Sequence, residues 1–186
     1  MLGLPRPSTV SIRNIGPFDL GRLARLHRNC FEEAWSRADL AHLLAIPGGF
    51  GLVARVYDGG LAGLDGMRGV GFALCRVVRD ESELLSIGVM PAYRKRGVAR
   101  ALLRTCMDRC LRNGADNMFL EVAVDNPVAQ QLYDEAGFER VGSRPDYYQR
   151  ADGSRIAAYT MRSNLVAACT GWHAEAHAAP ALGSNR

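Results

Sequence analysis

No run of eighteen apolar residues occurs in the 186-residue chain, so no helix long enough to span a membrane is expected. No two cysteines stand in a C-x-x-C spacing, and the five present (Cys30, Cys75, Cys106, Cys110 and Cys169) are an odd number. That argues against a disulfide framework and for reduced thiols in a cytoplasmic protein. The opening MLGLPRPS lacks the apolar stretch of a secretion signal and reads as a disordered lead over residues 1–8. The phosphate-loop pattern GxxxxGK[ST] is missing, as is any internal repeat. Aromatic residues make up only 8% of the chain, and only one dense basic run is visible. A dedicated nucleic-acid binder is therefore not expected.

What is present fits one soluble domain. Hydrophobic residues reach 48% and charged ones 23%, with a formal net charge of +4. The mild excess of cations suits an anionic ligand as well as an anionic surface.

Thr9 to Asn14 reads as a first strand, and residues 18–33 carry a helical stripe through Leu20, Leu23, Leu26 and Phe31. Ser36 is placed to cap a short second helix that Pro47-Gly48-Gly49 stops. A strand at 50–57, a glycine-rich loop at 58–69, and strands at 70–79 and 83–89 follow. Val98, Leu102, Cys106 and Cys110 repeat every four residues, predicting a helix that ends near Asn113-Gly114. Met118 to Val124 is the next strand. Asn126 as cap, Pro127 at the first helical position and Gly137 beyond the end punctuate a helix over 127–136. Strands at 138–142, extending to Tyr148, and at 155–161 close the domain. Residues 165–186 read as an Ala-rich tail outside it. The order implies an α+β protein, an α/β/α sandwich around a mixed sheet.

One stretch stands out in this frame, Tyr93-Arg94-Lys95-Arg96-Gly97-Val98-Ala99. The first N–H groups of a helix lack intrahelical partners and its dipole favours anions. A glycine there admits a phosphate to the backbone. A solvated basic loop is the competing reading. Downstream, the strand Phe119-Leu120-Glu121-Val122-Ala123 is apolar on both faces apart from Glu121. A carboxylate buried there without a partner is costly, so it either serves in chemistry or is wetted or paired with an arginine. Tyr133, on the stripe Ala129, Leu132, Tyr133 and Ala136, is a packed aromatic whose hydroxyl still needs a partner. In the tail, Cys169, His173 and His177 have helical spacing; disorder is the stronger reading, and no metal site is assigned.

Arg94-x-x-Gly97-x-Ala99 resembles the acetyl-CoA pyrophosphate motif [QR]-x-x-G-x-[GA] of the GNAT N-acetyltransferase superfamily. The block LEVAVDNPVAQQLYDEAGF (120–138), with Trp35-Ser36, LLSIGV (84–89) and Tyr147-Tyr148, is similar to the RimI-type ribosomal-protein-alanine acetyltransferases over residues 9–164. The resemblance implies a mostly antiparallel sheet of about seven strands and four helices, splayed between the fourth and fifth strands. It implies acetyl-CoA as co-substrate, with Ile87 and Val89 on the pantetheine arm. Arg94, Arg96, Gly97, Val98 and Ala99 would hold the pyrophosphate, and Asn126 would lie near the thioester. Glu121 would be the general base and Tyr133 the general acid. Trp35, Ser36 and Tyr147 would rim a groove for a basic N-terminal peptide, such as the alanine terminus of ribosomal protein S18. Glu32, Glu33 and Asp39 are candidates to attract that peptide, or simply a solvated helix face. Ala123 stands where the subfamily commonly carries arginine. Transfer to a lysine side chain, polyamine or other small amine, and a non-catalytic acyl-CoA-binding role, remain open alternatives.

Overall fold

The computed structural model describes residues 10–57, 67–150 and 152–178. Its strands are β1 (Ser11–Asn14), β2 (Gly49–Tyr57), β3 (Met67–Val78), β4 (Glu81–Val89), β5 (Asn117–Ala123), β6 (Glu139–Gln149) and β7 (Arg155–Asn164). The helices are α1 (Leu20–Cys30), α2 (Arg37–Ala45), α3 (Val98–Arg112), α4 (Pro127–Asp134) and α5 (Leu165–Ala178). One seven-stranded sheet runs β1-β2-β3-β4-β5-β7-β6. Every neighbouring pair is antiparallel except β4 and β5, which the α3 crossover makes parallel.

That parallel pair is short. Its register runs from Glu81 opposite Asn117 to Leu84 opposite Leu120. The pairing stops where β4 carries a bulge: Cys75 of β3 faces Leu84 and Leu74 faces Ser86, which leaves Leu85 as the extra residue. Beyond it β4 follows β3 to Val89, while β5 follows β7 to Ala123. A gap opens between the two strands, as the resemblance implied.

Each sheet face has its own core. Leu23, Leu26 and Leu40 of α1 and α2 cover Val53, Phe72 and Leu74. On the other face Leu102, Leu103, Cys106 and Met107 of α3 meet Leu52, Cys75, Met118 and Leu120. Burying each such leucine contributes roughly 1.5–3 kcal/mol relative to leaving it exposed. The four-residue repeat read in α3 is the buried stripe, and all five cysteines are free thiols.

Several expectations need correction. There are five α-helices where four were expected, because Leu165–Ala178 is helical and not a disordered tail. Leu165 and Cys169 are buried in the α3-side core, so the start of this segment belongs to the domain. Burial, helped by nearby Asp108, pushes the Cys169 thiol up to about 12. The side chains of His173 and His177 lie outside the described residues. The first helix is shorter than 18–33: a 3-10 turn (Pro17–Asp19) precedes α1, and Phe31 follows it in extended backbone. Residues 67–69, assigned to the glycine-rich loop, are strand, and 58–66 lie outside the described residues. The strand over 138–142 and its extension are one long strand, β6.

Candidate active site

The basic turn is built as a backbone cradle. A 3-10 turn (Pro91–Tyr93) leads into it, and Lys95 and Gly97 both take left-handed backbone, with φ of 58° and 76°. Gly97 is the N-cap of α3, yet no side chain caps the helix. The first intrahelical bond runs from the Ala101 N–H to the Gly97 carbonyl at 3.0 Å, so the N–H groups of Val98, Ala99 and Arg100 stand ahead of the ladder. A Cβ built on Gly97 meets nothing within 4 Å, so the space above the turn is open. Arg94 is more constrained than a solvated loop allows, because its Nε donates to the Val89 carbonyl at 3.1 Å. Arg96 lies 5.5 Å from the centre of the Tyr93 ring.

Ile87 and Val89 sit on β4 beyond its last pair with β5, along one side of the gap. Glu121 is on the other side. Within β5, Met118, Leu120 and Val122 are buried on the α3 side, and Phe119, Glu121 and Ala123 are half-buried on the opposite face. The Glu121 carboxylate is not unpartnered: Arg144 of β6 donates from Nη1 to its Oε1 at 2.5 Å. Sheet register explains the reach. Ala123 of β5 faces Ala158 of β7, which faces Arg144 of β6, so two small residues leave a path across the sheet. Ala158 is fully buried although it lies on the half-open face.

A bulge in β6 between Arg144 and Tyr148, with Asp146 at φ 53°, turns two tyrosines toward the same carboxylate. The Tyr148 hydroxyl donates to the Glu121 backbone carbonyl at 3.0 Å. Burial, followed by the adjacent Glu121 carboxylate, pushes the Tyr147 phenol above its ordinary range. Glu83, at the register position before Leu84, is also pushed up, first by lost solvation and then by the Glu121 charge.

Tyr133 of α4 lies on the other face of the sheet. It is buried in the α3-side core with its ring 5.8 Å from Phe138. Burial, followed by neighbouring Tyr148, raises its pKa, which keeps the phenol protonated. Asn126 caps α4 by accepting the Ala129 N–H at 3.1 Å. The Gln130 amide holds the end of β5 by donating to the Ala123 and Val124 carbonyls.

The residues expected on the acceptor side are less uniform. Tyr147 lies in the groove with Glu121. Ser36 is a helix cap: its hydroxyl accepts the Asp39 N–H at 3.2 Å, and the Asp39 carboxylate accepts the Ser36 N–H at 2.9 Å. Both side chains of that pair are thereby committed to the start of α2. Trp35 stacks on buried His27 with centroids 5.0 Å apart, and its backbone N–H donates to His27 Nδ1 at 3.3 Å. Glu32 lines a depression of about 420 Å³ with Asp125, Arg150 and Asp152 across the groove. Reading the sequence missed Arg144 and Gln130, since both act through register and loop geometry that no local pattern encodes.

A splayed mixed sheet, with a glycine-capped helix start after β4 and the Glu121 carboxylate on β5 beside the gap, is the arrangement that the resemblance to acetyl-CoA-dependent transferases implied. Comparison with known proteins agrees: residues 20–138 match the acetyltransferase (GNAT) family, and the chain belongs to it. It is similar to N-alpha-acetyltransferase RimI of Mycobacterium tuberculosis, 39% identical over 155 residues, covering 82% of this chain and 91% of that one. It is also similar to the [ribosomal protein bS18]-alanine N-acetyltransferase of Haemophilus ducreyi, 37% identical over 92 residues. That match spans 50% of this chain and only 63% of the relative. Among solved structures, the ribosomal-protein-S18-alanine N-acetyltransferase of Escherichia coli superposes with a TM-score of 0.72 at 27% identity, covering 84% of this chain and 94% of that one. The Arabidopsis thaliana NAA60 structure with acetyl-CoA shares the fold at a TM-score of 0.74 and 21% identity, over 84% and 98% of the two chains.

Proposed function

We propose that the chain moves the acetyl group of acetyl-CoA to a protein N-terminal amine, with the alanine terminus of ribosomal protein S18 as acceptor. The observation that carries this reading is the gap between β4 and β5, with Glu121 on β5 beside it and β4 leading to the open turn at Gly97. The 39% identity to the mycobacterial N-alpha-acetyltransferase supports the acceptor class. In this reading the protein works in the cytoplasm; among the described residues no helix is long and apolar enough to cross a membrane.

The residues present fit a pyrophosphate at the turn: free space over a left-handed glycine, N–H groups ahead of the helix ladder, and exposed Arg96 beside them. Arg94, tied to Val89, orders the corner between β4 and the turn. Asn126 accepts the Ala129 N–H through Oδ1 in its cap, and its amide nitrogen is the group it would offer a ligand. Acetyl-CoA, when bound, supplies an activated acyl carbonyl and a thiolate leaving group.

The rest is done by the protein. An α-amine with a pKa near 8 is about one-tenth neutral at pH 7, whereas a lysine amine near 10.4 is neutral in well under about one part in a thousand. Glu121 takes the proton of the attacking amine, directly or through one water. Arg144 and the Tyr148 hydroxyl hold that residue by its side chain and its backbone, which fixes the base relative to the gap. Tyr133, kept protonated by burial, returns a proton to the departing sulfur.

Mass spectrometry of the purified chain with acetyl-CoA and three acceptors tests this: a peptide beginning Ala-Arg, an N-blocked lysine peptide and spermidine. The first should be acetylated at its α-amine, with Glu121→Gln and Tyr133→Phe each losing about a hundredfold in turnover. Modification of lysine or spermidine while the Ala-Arg peptide stays intact would overturn the acceptor assignment.

A further inference from the structure

The sequence shows one basic run, but the fold assembles a second basic locus from residues scattered over 56 positions. A cavity of about 470 Å³ lies between β1, α1 and the paired ends of β2 and β3. Among the described residues, Arg13, Arg22, Arg25, Arg55 and Arg68 line it against one carboxylate, Asp19. That carboxylate is already neutralised by Arg13, which grips it with two bonds of 2.7 Å. Five of the chain's 23 Lys and Arg residues thus meet at one concavity, in a molecule whose whole net charge is +4.

The cavity is not the turn at Gly97. It sits on the α1 face over β1, β2 and β3, whereas the gap is between β4 and β5. Met90, which begins the turn, is the one residue from that region in its wall. The α1 contribution is a stripe: Arg22, Arg25, Leu26 and Asn29 recur at i, i+3, i+4 and i+7 along one edge of the helix. Leu23, Leu26, Val53 and Met90 give it an apolar floor. Arg55 is anchored to the Met67 carbonyl at 3.1 Å. Arg22 and Arg25 stay exposed at the rim and make no hydrogen bond or ion pair to the described residues.

The chemistry of such a site is narrow. Converging guanidinium groups recognise phosphate oxygens in a fork geometry and repel cations. A concave wall suits a compact ligand better than the extended backbone of a nucleic acid. Among the described residues no aromatic side chain lines the cavity, so they offer no platform on which bases would stack. We propose that this cavity binds a small organic or inorganic polyphosphate, at a site separate from the one that receives acetyl-CoA.

Isothermal titration calorimetry with inorganic tripolyphosphate tests this on the full chain at low salt, first alone and then with saturating CoA. The expected result is one saturable site that persists when CoA is bound. Arg22→Gln/Arg25→Gln should weaken it at least about tenfold, as losing charge-assisted contacts does. Arg94→Gln/Arg96→Gln should leave it unchanged. Both arginines on α1 are exposed, and a thermal melt of the variant confirms that it is folded. If CoA abolishes tripolyphosphate binding, if only the Arg94/Arg96 variant loses it, or if no saturable site exists, the proposal is wrong. Failure of CoA itself to bind would instead count against the acetyltransferase reading, and the α1 variant would still decide this one.

Discussion

Substituting Gly97 by alanine separates two roles that this glycine combines. Its φ of 76° lies in left-handed space, where an L-residue with a Cβ is disfavoured by about 1–2 kcal/mol. The added methyl meets no protein atom within 4 Å, so there is no steric term beyond that backbone strain. Gly114, at the other end of α3, supplies the control. It has φ 90°, and its Cβ would likewise meet nothing. Gly97→Ala and Gly114→Ala should therefore lower stability alike, by about 1 kcal/mol or a little more. In a chain of this size each kcal/mol is about 2–4 °C in melting temperature. They should differ in cofactor affinity. The methyl of Gly97→Ala stands where a pyrophosphate must approach the helix N–H groups, so CoA binding should weaken at least about tenfold. Gly114→Ala should bind CoA as the wild type does. Paired thermal melts and calorimetric titrations measure both quantities. Equal CoA affinity in the two variants would refute the cradle assignment, whatever the melts show.

Three further perturbations probe other links. Arg144→Gln should leave the fold intact, because Arg144 is largely exposed, yet lower turnover about tenfold with the acetyl-CoA KM unchanged, since Glu121 loses its anchor; steady-state kinetics checks this. Asp19→Asn should cost about 1 kcal/mol at pH 7, a value reduced for the solvent near its ion pair. Arg13 holds the Asp19 carboxyl at about 2 in the folded protein against 3.8 unfolded, so that stability is complete above about pH 4 and lost as pH falls toward 2. Denaturant melts of wild type and variant should converge over that interval, and a difference independent of pH would contradict the pairing. Leu165→Ala should destabilise by about 3 kcal/mol, as expected for a fully buried leucine. A loss below about 0.5 kcal/mol in denaturant melts would mean that α5 is the appendage its composition suggests.

Much of the architecture was legible because it rests on local rules. The four-residue repeat from Val98 to Cys110 fixes the buried stripe of α3, and Asn126-Pro127 marks the start of α4 by capping alone. The placement of Ser36 as a cap was also readable, because a capping box is a local pattern of four residues. The tail was misread for a comparable reason. Its alanines favour helix, but the segment carries no clear apolar stripe to signal packing, and only the fold shows Leu165 and Cys169 buried against the α3-side core.

By itself the sequence determined the order of strands and helices as far as β7, the glycine at the start of α3, and the presence of one carboxylate in an apolar strand. Each follows from spacing along the chain. The tertiary structure decided what those groups meet. Arg144 reaches Glu121 only because strand register aligns Ala123, Ala158 and Arg144. Tyr148 reaches the Glu121 carbonyl only because β6 bulges. The five arginines of the α1 cavity are far apart in the chain and close only in the folded sheet. Charge along a sequence shows runs, whereas a ligand meets whatever charge folding brings to one place.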